Sequence, residues 1–109
     1  MITPNQKIAF TSIIIEMANA DGIIDPRECV EVQRIFSSLA VDAETFNLAK
    51  HIPLNVALEV MDSASVVDKI FLAKKLVKVI DADGEVADSE VKLLKEVAHR
   101  LELEQYFLD

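Results

Sequence analysis

The chain has 109 residues and a formal net charge of -8 at pH 7, a length sufficient for one domain with its own hydrophobic core. Nucleic-acid-binding proteins usually carry a basic face, so this acidic balance argues against DNA or RNA as a partner. The single cysteine excludes an intramolecular disulfide and fits a reducing compartment. The first residues lack a secretory-signal pattern, and no apolar run approaches the roughly 18 residues of a membrane span. We therefore expect a cytoplasmic protein without direct membrane insertion.

The fold class predicted from the sequence is all-α, a compact bundle of about six to seven helices. Two glycines and three prolines provide few of the turn signals expected between β-strands, whereas apolar residues recur at helical spacing. In chain order, the predicted helices span 4–20, 26–40, 43–51, 53–62, 66–82 and 88–102, followed by a short turn at 103–107. The residues expected to cap helix starts are Thr3 with Gln6, Asp25 and Pro26 with Glu28, Asp42, Ser65 with Asp68, and Asp88 or Ala87.

Both glycines lie in copies of one motif, Ala-Asp-Gly-x-[Ile/Val]-x-x-x-Glu, which begins at Ala20 and again at Ala82, 62 residues later. The apolar pattern around the motif also repeats, over about 8–40 and 70–102. In both copies the helix before the loop is apolar nearly all round, which is typical of a central helix. We therefore predict a single domain over 1–109, with two helix–loop–helix units related by a pseudo-twofold axis and bridged by the short helices at 43–62.

Both motifs space their oxygen-bearing side chains as a calcium-binding EF-hand loop does. That loop presents oxygens from positions 1, 3, 5, 7, 9 and 12 and has glycine at position 6. Placing the glycines there gives the candidate metal ligands Asn19, Asp21, Asp25 and Glu28 in the first loop, and Asp81, Asp83 and Glu90 in the second. Position 1 lacks the usual acid, because Met17 and Val79 stand there on the buried apolar pattern. These are not ordinary EF-hands, and we expect weak Ca²⁺ or Mg²⁺ sites with dissociation constants of ~10⁻⁴–10⁻³ M or weaker.

A second interpretation needs no metal. Glycine would end one helix in the left-handed conformation, and the glutamate at the third helical position would cap the next helix. This explains the glycines and both glutamates, but not the acids Asp21, Asp81 and Asp83. Carboxylates at a helix C-terminus face the negative end of the macrodipole, where a cation would be preferred. Both interpretations remain open at the level of sequence, and the second loop is the more acidic.

The repeated motif resembles that of the TerB-like family, which includes the tellurite-resistance protein TerB and the amino-terminal helical domain of some membrane-anchored J-domain co-chaperones. The resemblance covers roughly Ile8 to Leu103 and is strongest over Asp68–Leu103. The family residues that map here are Asp21, Gly22, Glu28, Asp83, Gly84 and Glu90. The resemblance implies a bundle of about seven helices, divalent-cation binding at the acidic loops, and a link to bacterial stress responses, tellurite resistance or multiprotein assemblies. Asn19 replaces an acid in one copy, and Ala87 replaces the counterpart of Asp25 in the other, so the two loops are not equivalent.

The sequence offers little support for catalysis. His51 lies beside a proline-marked turn, where we expect it to be solvated. Glu96 and His99 have the Glu-x-x-His spacing of di-iron bundles, but they are predicted to face solvent, and such a site needs a second copy and two further glutamates. Cys29 aligns with an apolar residue of the other repeat and is predicted to be a buried small hydrophobe. We therefore expect a protein that is not an enzyme.

An alternative function is a protein–protein interaction module whose Asp-Gly loops are only turns and caps. The lysines concentrate on the fifth and sixth predicted helices, as Lys69, Lys74, Lys75, Lys78, Lys92 and Lys95. Such a basic surface on an acidic chain could bind a charged protein partner, although a solvated helix face has the same pattern. The apolar tail at 103–108 is another candidate contact, and packing back onto the bundle is the commoner outcome for such a segment. The oligomeric state is not readable from the sequence.

Overall fold

Six α-helices and one 3-10 turn build residues 2–20, 26–82 and 87–106, the part of the chain that the computed structural model describes. The helices are α1 (Pro4–Ala18), α2 (Pro26–Ser38), α3 (Ala43–Ala49), α4 (Leu54–Met61), α5 (Val66–Asp81) and α6 (Asp88–Arg100), and the turn is Glu104–Tyr106. These described residues contain no β-strand. The predicted all-α class and the predicted helices are confirmed, with each helix end within two residues of its predicted place.

Side-chain caps begin several helices where the sequence predicts them. Before α1, the Gln6 N–H donates to Thr3 Oγ1 at 3.1 Å, and the Thr3 N–H donates to Gln6 Oε1 at 2.9 Å. The Thr45 N–H donates to the Asp42 carboxylate at 2.7 Å before α3, and Ser65 accepts from the Asp68 N–H at 3.1 Å before α5. Each of these bonds satisfies a backbone donor that the helix itself leaves unpaired. The predicted cap Asp25 lies outside the described residues.

Helix α1 lies at the centre of the bundle and packs against α2, α3, α4, α5 and α6. Its apolar residues Phe10, Ile13 and Ile14 are fully buried, and Ser12 Oγ donates to the Ile52 carbonyl at 3.1 Å in the turn before α4. The predicted central position is therefore confirmed for α1. None of the helices formed by the described residues is long and apolar enough to cross a membrane.

Helix α5 is only partly central, so the sequence-based prediction of an almost wholly buried helix was wrong for it. Leu72, Leu76 and Val79 are fully buried, whereas the opposite side of the helix, which includes Lys74 and Lys78, is exposed. The lysines interrupt the apolar pattern on one stripe of the helix, and that stripe faces outward.

Helices α2 and α6 end in the same way. Ala40 and Glu102 have positive φ angles of 55° and 58°. The next residue in each case bonds back across the helix end, from the Val41 N–H to the Phe36 carbonyl at 2.9 Å and from the Leu103 N–H to the Ala98 carbonyl at 2.7 Å. This bond is the signature of a Schellman cap. After α6 the cap turns Leu103 into the core, where it is buried, so the start of the tail packs back onto the bundle.

Candidate cation-binding loops

The structure describes four of the seven predicted metal ligands. Asn19 and Asp81 lie at the ends of the helices that enter the two loops, and Glu28 and Glu90 lie in the helices that leave them. The other three predicted ligands, Asp21, Asp25 and Asp83, lie outside the described residues. The described residues therefore flank each candidate site, with one residue before the loop and one after it, and we call them the rim of the loop.

Glu28 and Glu90 are the most unusual residues of this rim. Each is the third residue of its helix, and they are only 2% and 1% exposed. Glutamates are almost never fully buried without compensation for the lost hydration of the carboxylate. Part of that compensation comes from their location, because the first turn of a helix combines unpaired backbone N–H groups with the positive end of the macrodipole.

The Glu90 carboxylate has a defined capping role. Its Oε1 accepts a hydrogen bond from the Ala87 N–H at 3.0 Å, and Ala87 is an N-cap residue without a side-chain oxygen of its own. The predicted capping function is thus confirmed for Glu90. A carboxylate has about four acceptor positions, so a cap bond of this kind is compatible with additional ligation.

Asn19 follows the last residue of α1 and is exposed. Its backbone N–H continues the helical pattern by donating to the Ile15 carbonyl at 3.1 Å, and its side-chain Nδ2 donates to the same carbonyl at 3.0 Å. Oδ1 is the side-chain atom suited to a cation, because the amide oxygen carries lone pairs and the amide nitrogen is a donor only.

Asp81 is the last residue of α5 and is exposed. Its carboxylate stands at the negative end of the helix macrodipole, where acidic side chains are unfavourable and a cation would be stabilising. The capping interpretation does not explain why an acid stands at this unfavourable position.

Met17 and Val79, at position 1 of the EF-hand register, are both fully buried in the core. The sequence-based prediction for these two residues is confirmed. Because core packing occupies the place of the first acidic ligand, neither loop can take the complete ligand set of an EF-hand.

A pocket of about 340 Å³ adjoins the first loop and was not predicted from the sequence. It lies between α1, α2 and α3, and Asn19 and Glu28 both line it. The apolar part of its wall includes Phe36 and Phe46, whose ring centroids are 5.9 Å apart at an interplanar angle of 70°. Phe46 belongs to α3, outside the repeat, so the repeat gave no signal that its ring would meet α2.

Cys29 also lines this pocket and is exposed, so the prediction that it is a buried hydrophobe was wrong. The inward side of α2 is formed by Glu28, Ile35 and the half-buried Val32. Cys29 follows Glu28 by one residue, which rotates it about 100° around the helix to the edge of that side. The alignment of Cys29 with an apolar residue of the other repeat did not show that it lies at this edge.

The two histidines and Glu96, which were considered for catalysis, are solvent-facing, as predicted. Glu96 and His99 are exposed on α6, and His99 Nδ1 lies 3.3 Å from Glu104 Oε1 at the surface. His51 is exposed in the turn after α3.

Within the residues that the structure describes, no group of three or more His, Cys, Asp or Glu residues is placed to hold a metal ion. A comparison of the chain with protein-family models, curated proteins and solved structures finds no match. The case for the loops consequently depends on the repeated motif and on the two buried glutamates at their rims.

Proposed function

We propose that this protein is a non-enzymatic TerB-like domain that binds divalent cations weakly at its two Asp-Gly loops. By its resemblance to that family, it would take part in a bacterial stress or tellurite response. The observation that carries the proposal is the burial of Glu28 and Glu90 at the same helical position, each after a loop that contains an Asp-Gly pair.

The positions of the helices support a duplicated architecture, which the proposal includes. Several pairs of equivalent features are separated by the same 62 residues as the motifs. These pairs are the N-caps Thr3 and Ser65, the first helical residues Pro26 and Asp88, the buried Glu28 and Glu90, and the positive-φ residues Ala40 and Glu102. A site formed in one unit would thus have a counterpart in the other.

The chemistry of the rims favours a hard divalent cation. Ca²⁺ and Mg²⁺ take carboxylate, amide and carbonyl oxygens, which are the groups that Asn19, Asp81 and the two glutamates bear. Since position 1 lacks an acid in both loops, the ligand charge is reduced, and we place the dissociation constants at ~10⁻⁴–10⁻³ M. At this affinity, the fraction of loops occupied would change with cation concentration in the millimolar range.

A thermal melt of chelator-treated protein titrated with calcium, magnesium and zinc tests the proposal. A ligand that binds only the folded state raises its stability in a saturable manner, and ~5 mM calcium should add about 1 kcal/mol at a site with a dissociation constant of ~10⁻³ M. No stabilisation by calcium or magnesium at this concentration would refute the proposal.

Substitutions assign the effect to the loops. Asp83→Asn with Glu90→Gln should abolish the cation-dependent rise while leaving the apo fold largely intact. Because Glu90 is buried and caps α6, Asp81→Asn with Asp83→Asn is the second test pair. The matched control is Glu59→Gln with Glu96→Gln, which removes two charges from exposed positions on α4 and α6. If this control lost the stabilisation equally, the cation would be acting on net charge rather than in the loops.

The second candidate function is an interaction module whose loops are turns. The cap bond between Glu90 and the Ala87 N–H favours it, because that bond gives the glutamate a structural task that needs no metal. The thermal melts distinguish the two candidate functions, because calcium should not stabilise in a saturable manner a domain whose loops are only structural turns.

A further inference from the structure

Helix α5 presents an outward stripe formed by Val67, Phe71, Lys74 and Lys78, which we call the α5 outer face. These residues follow one another at spacings of four, three and four, so they lie on one side of the helix. All four are exposed. The opposite side of the helix is fixed in the core through Leu72, Leu76 and Val79.

The first half of the α5 outer face is apolar. Val67 is 74% exposed and Phe71 is 38% exposed. The Phe71 ring is held from two directions, by the Phe10 ring with centroids 5.8 Å apart and by Lys75 Nζ at 4.9 Å from its centroid. An aromatic ring that is already ordered loses little conformational entropy when a partner covers it, which suits it to be a binding anchor.

The second half of the face is basic, on a chain of net charge -8. Helix α5 carries Lys69, Lys74, Lys75 and Lys78, four of the 11 basic residues of the chain. In the described part of the chain, Lys74, Lys75 and Lys78 make no salt bridge. Lys75 lies over the Phe71 ring, whereas Lys74 and Lys78 are exposed, so their positive charges are accessible to an acidic surface of complementary charge.

We propose that the α5 outer face binds an acidic amphipathic helix of a partner protein. Apolar side chains one helical turn apart in the partner would cover Val67 and Phe71, and carboxylates further along it would pair with Lys74 and Lys78. The face is about three helical turns, or roughly 16 Å, long, which matches one short helical segment. An anionic membrane fits less well, because the apolar part of the face consists of two side chains, which is little area to bury in a bilayer interface.

The probe is a displayed library of 16-residue peptides in three classes. The first class consists of amphipathic helices with a stripe of Leu flanked by Glu, and the second has the same design with Lys in place of Glu. The third class consists of scrambled acidic sequences. The proposal predicts enrichment of the acidic amphipathic class. Selected peptides should shift the amide NMR signals of residues 67–78 in the full chain. Enrichment of the basic or scrambled class, no enrichment, or shifts centred on another helix would each overturn it.

Charge-reversal variants test the same surface with a matched control. Lys74→Glu with Lys78→Glu should lower the affinity for the selected peptides about tenfold or more. Lys92→Glu with Lys95→Glu makes the same charge change on exposed positions of α6 and should leave affinity within about twofold, because exposed charges away from an interface are screened. Val67→Ser should also weaken binding. Equal losses from both lysine pairs, or tighter binding of the wild-type chain to vesicles of anionic phospholipid than to the peptides, would refute the proposal.

Discussion

Glu90 Oε1 accepts a hydrogen bond from the Ala87 N–H at 3.0 Å, so the first turn of α6 is closed by a side chain three residues inside the helix. We predict that Glu90→Ala lowers the free energy of unfolding by about 1–2 kcal/mol, because a partly buried N–H loses its acceptor. Glu90→Gln should cost less, since an amide oxygen can accept the same bond.

Urea denaturation of the two variants measures these losses. Glu96→Ala, at an exposed position of the same helix, is the control and should change stability by no more than about 0.5 kcal/mol. If Glu90→Ala lowered the free energy of unfolding no more than the control does, the carboxylate would not be an essential cap.

Position 1 of the EF-hand register provides a second prediction. Met17→Asp supplies the missing acid of the first loop, but we expect it to destabilise the protein by about 3 kcal/mol or more, because Met17 is fully buried and an isolated charge there loses its hydration. Met17→Leu keeps the volume and should cost less than about 1.5 kcal/mol. A Met17→Asp variant that folded normally and bound calcium more tightly would show that the position is accessible to a cation.

The positive φ angles at the ends of α2 and α6 provide a third prediction. Ala40 and Glu102 occupy the left-handed region, which costs residues other than glycine roughly 1–2 kcal/mol. Ala40→Gly and Glu102→Gly should each raise stability by about 0.5–1 kcal/mol, since the relief of strain exceeds the entropy that glycine adds to the unfolded chain. Glu96→Gly, inside α6, should instead lower stability by about 1 kcal/mol. Destabilisation by both cap variants would contradict the assigned caps.

The cap of α3 should make stability depend on pH. The Thr45 backbone N–H, followed by the Thr45 side chain, holds the pKa of Asp42 below its ordinary value of 3.8. A carboxyl group with a lowered folded-state pKa contributes stability above its unfolded-state pKa, and this contribution is lost as pH falls through the folded-state value. We therefore expect Asp42→Ala to melt at a lower temperature than wild type at pH 6, with the difference shrinking below about pH 4.

The control for this titration is Asn47→Ala, at an exposed position of α3 without an ionisable group. Its difference in melting temperature from wild type should stay constant between pH 6 and pH 3. An Asp42→Ala difference that was equally constant would show that the charge of Asp42 does not contribute to the cap.

The helix boundaries were predictable because their determinants are local. Thr3, Asp42 and Ser65 each cap a helix through a backbone N–H three residues away, and such spacing is visible in a sequence. The central position of α1 followed from its nearly continuous apolar pattern, which only a helix surrounded by others can bury.

Features that depend on packing between distant segments were not predictable. The pocket beside the first loop needs Phe46 of α3 to meet Phe36 of α2, a contact for which the repeat contains no signal. The exposure of Cys29 depends on which side α2 turns toward α1. For the loops, the sequence predicted both glutamates as candidate metal ligands, but their nearly complete burial emerged only from the assembled bundle.

The most direct test of the central claim is a calcium titration of the chelator-treated, ¹⁵N-labelled protein followed by amide NMR. We predict saturable shifts with midpoints of ~10⁻⁴–10⁻³ M, concentrated at the loop rims around Asn19 and Glu28 and around Asp81 and Glu90. The amide of Asn55, on the exposed side of α4, should not move. Shifts spread evenly over exposed carboxylates such as Glu59 and Glu96, or no shift at ~5 mM calcium, would contradict cation binding at the two loops.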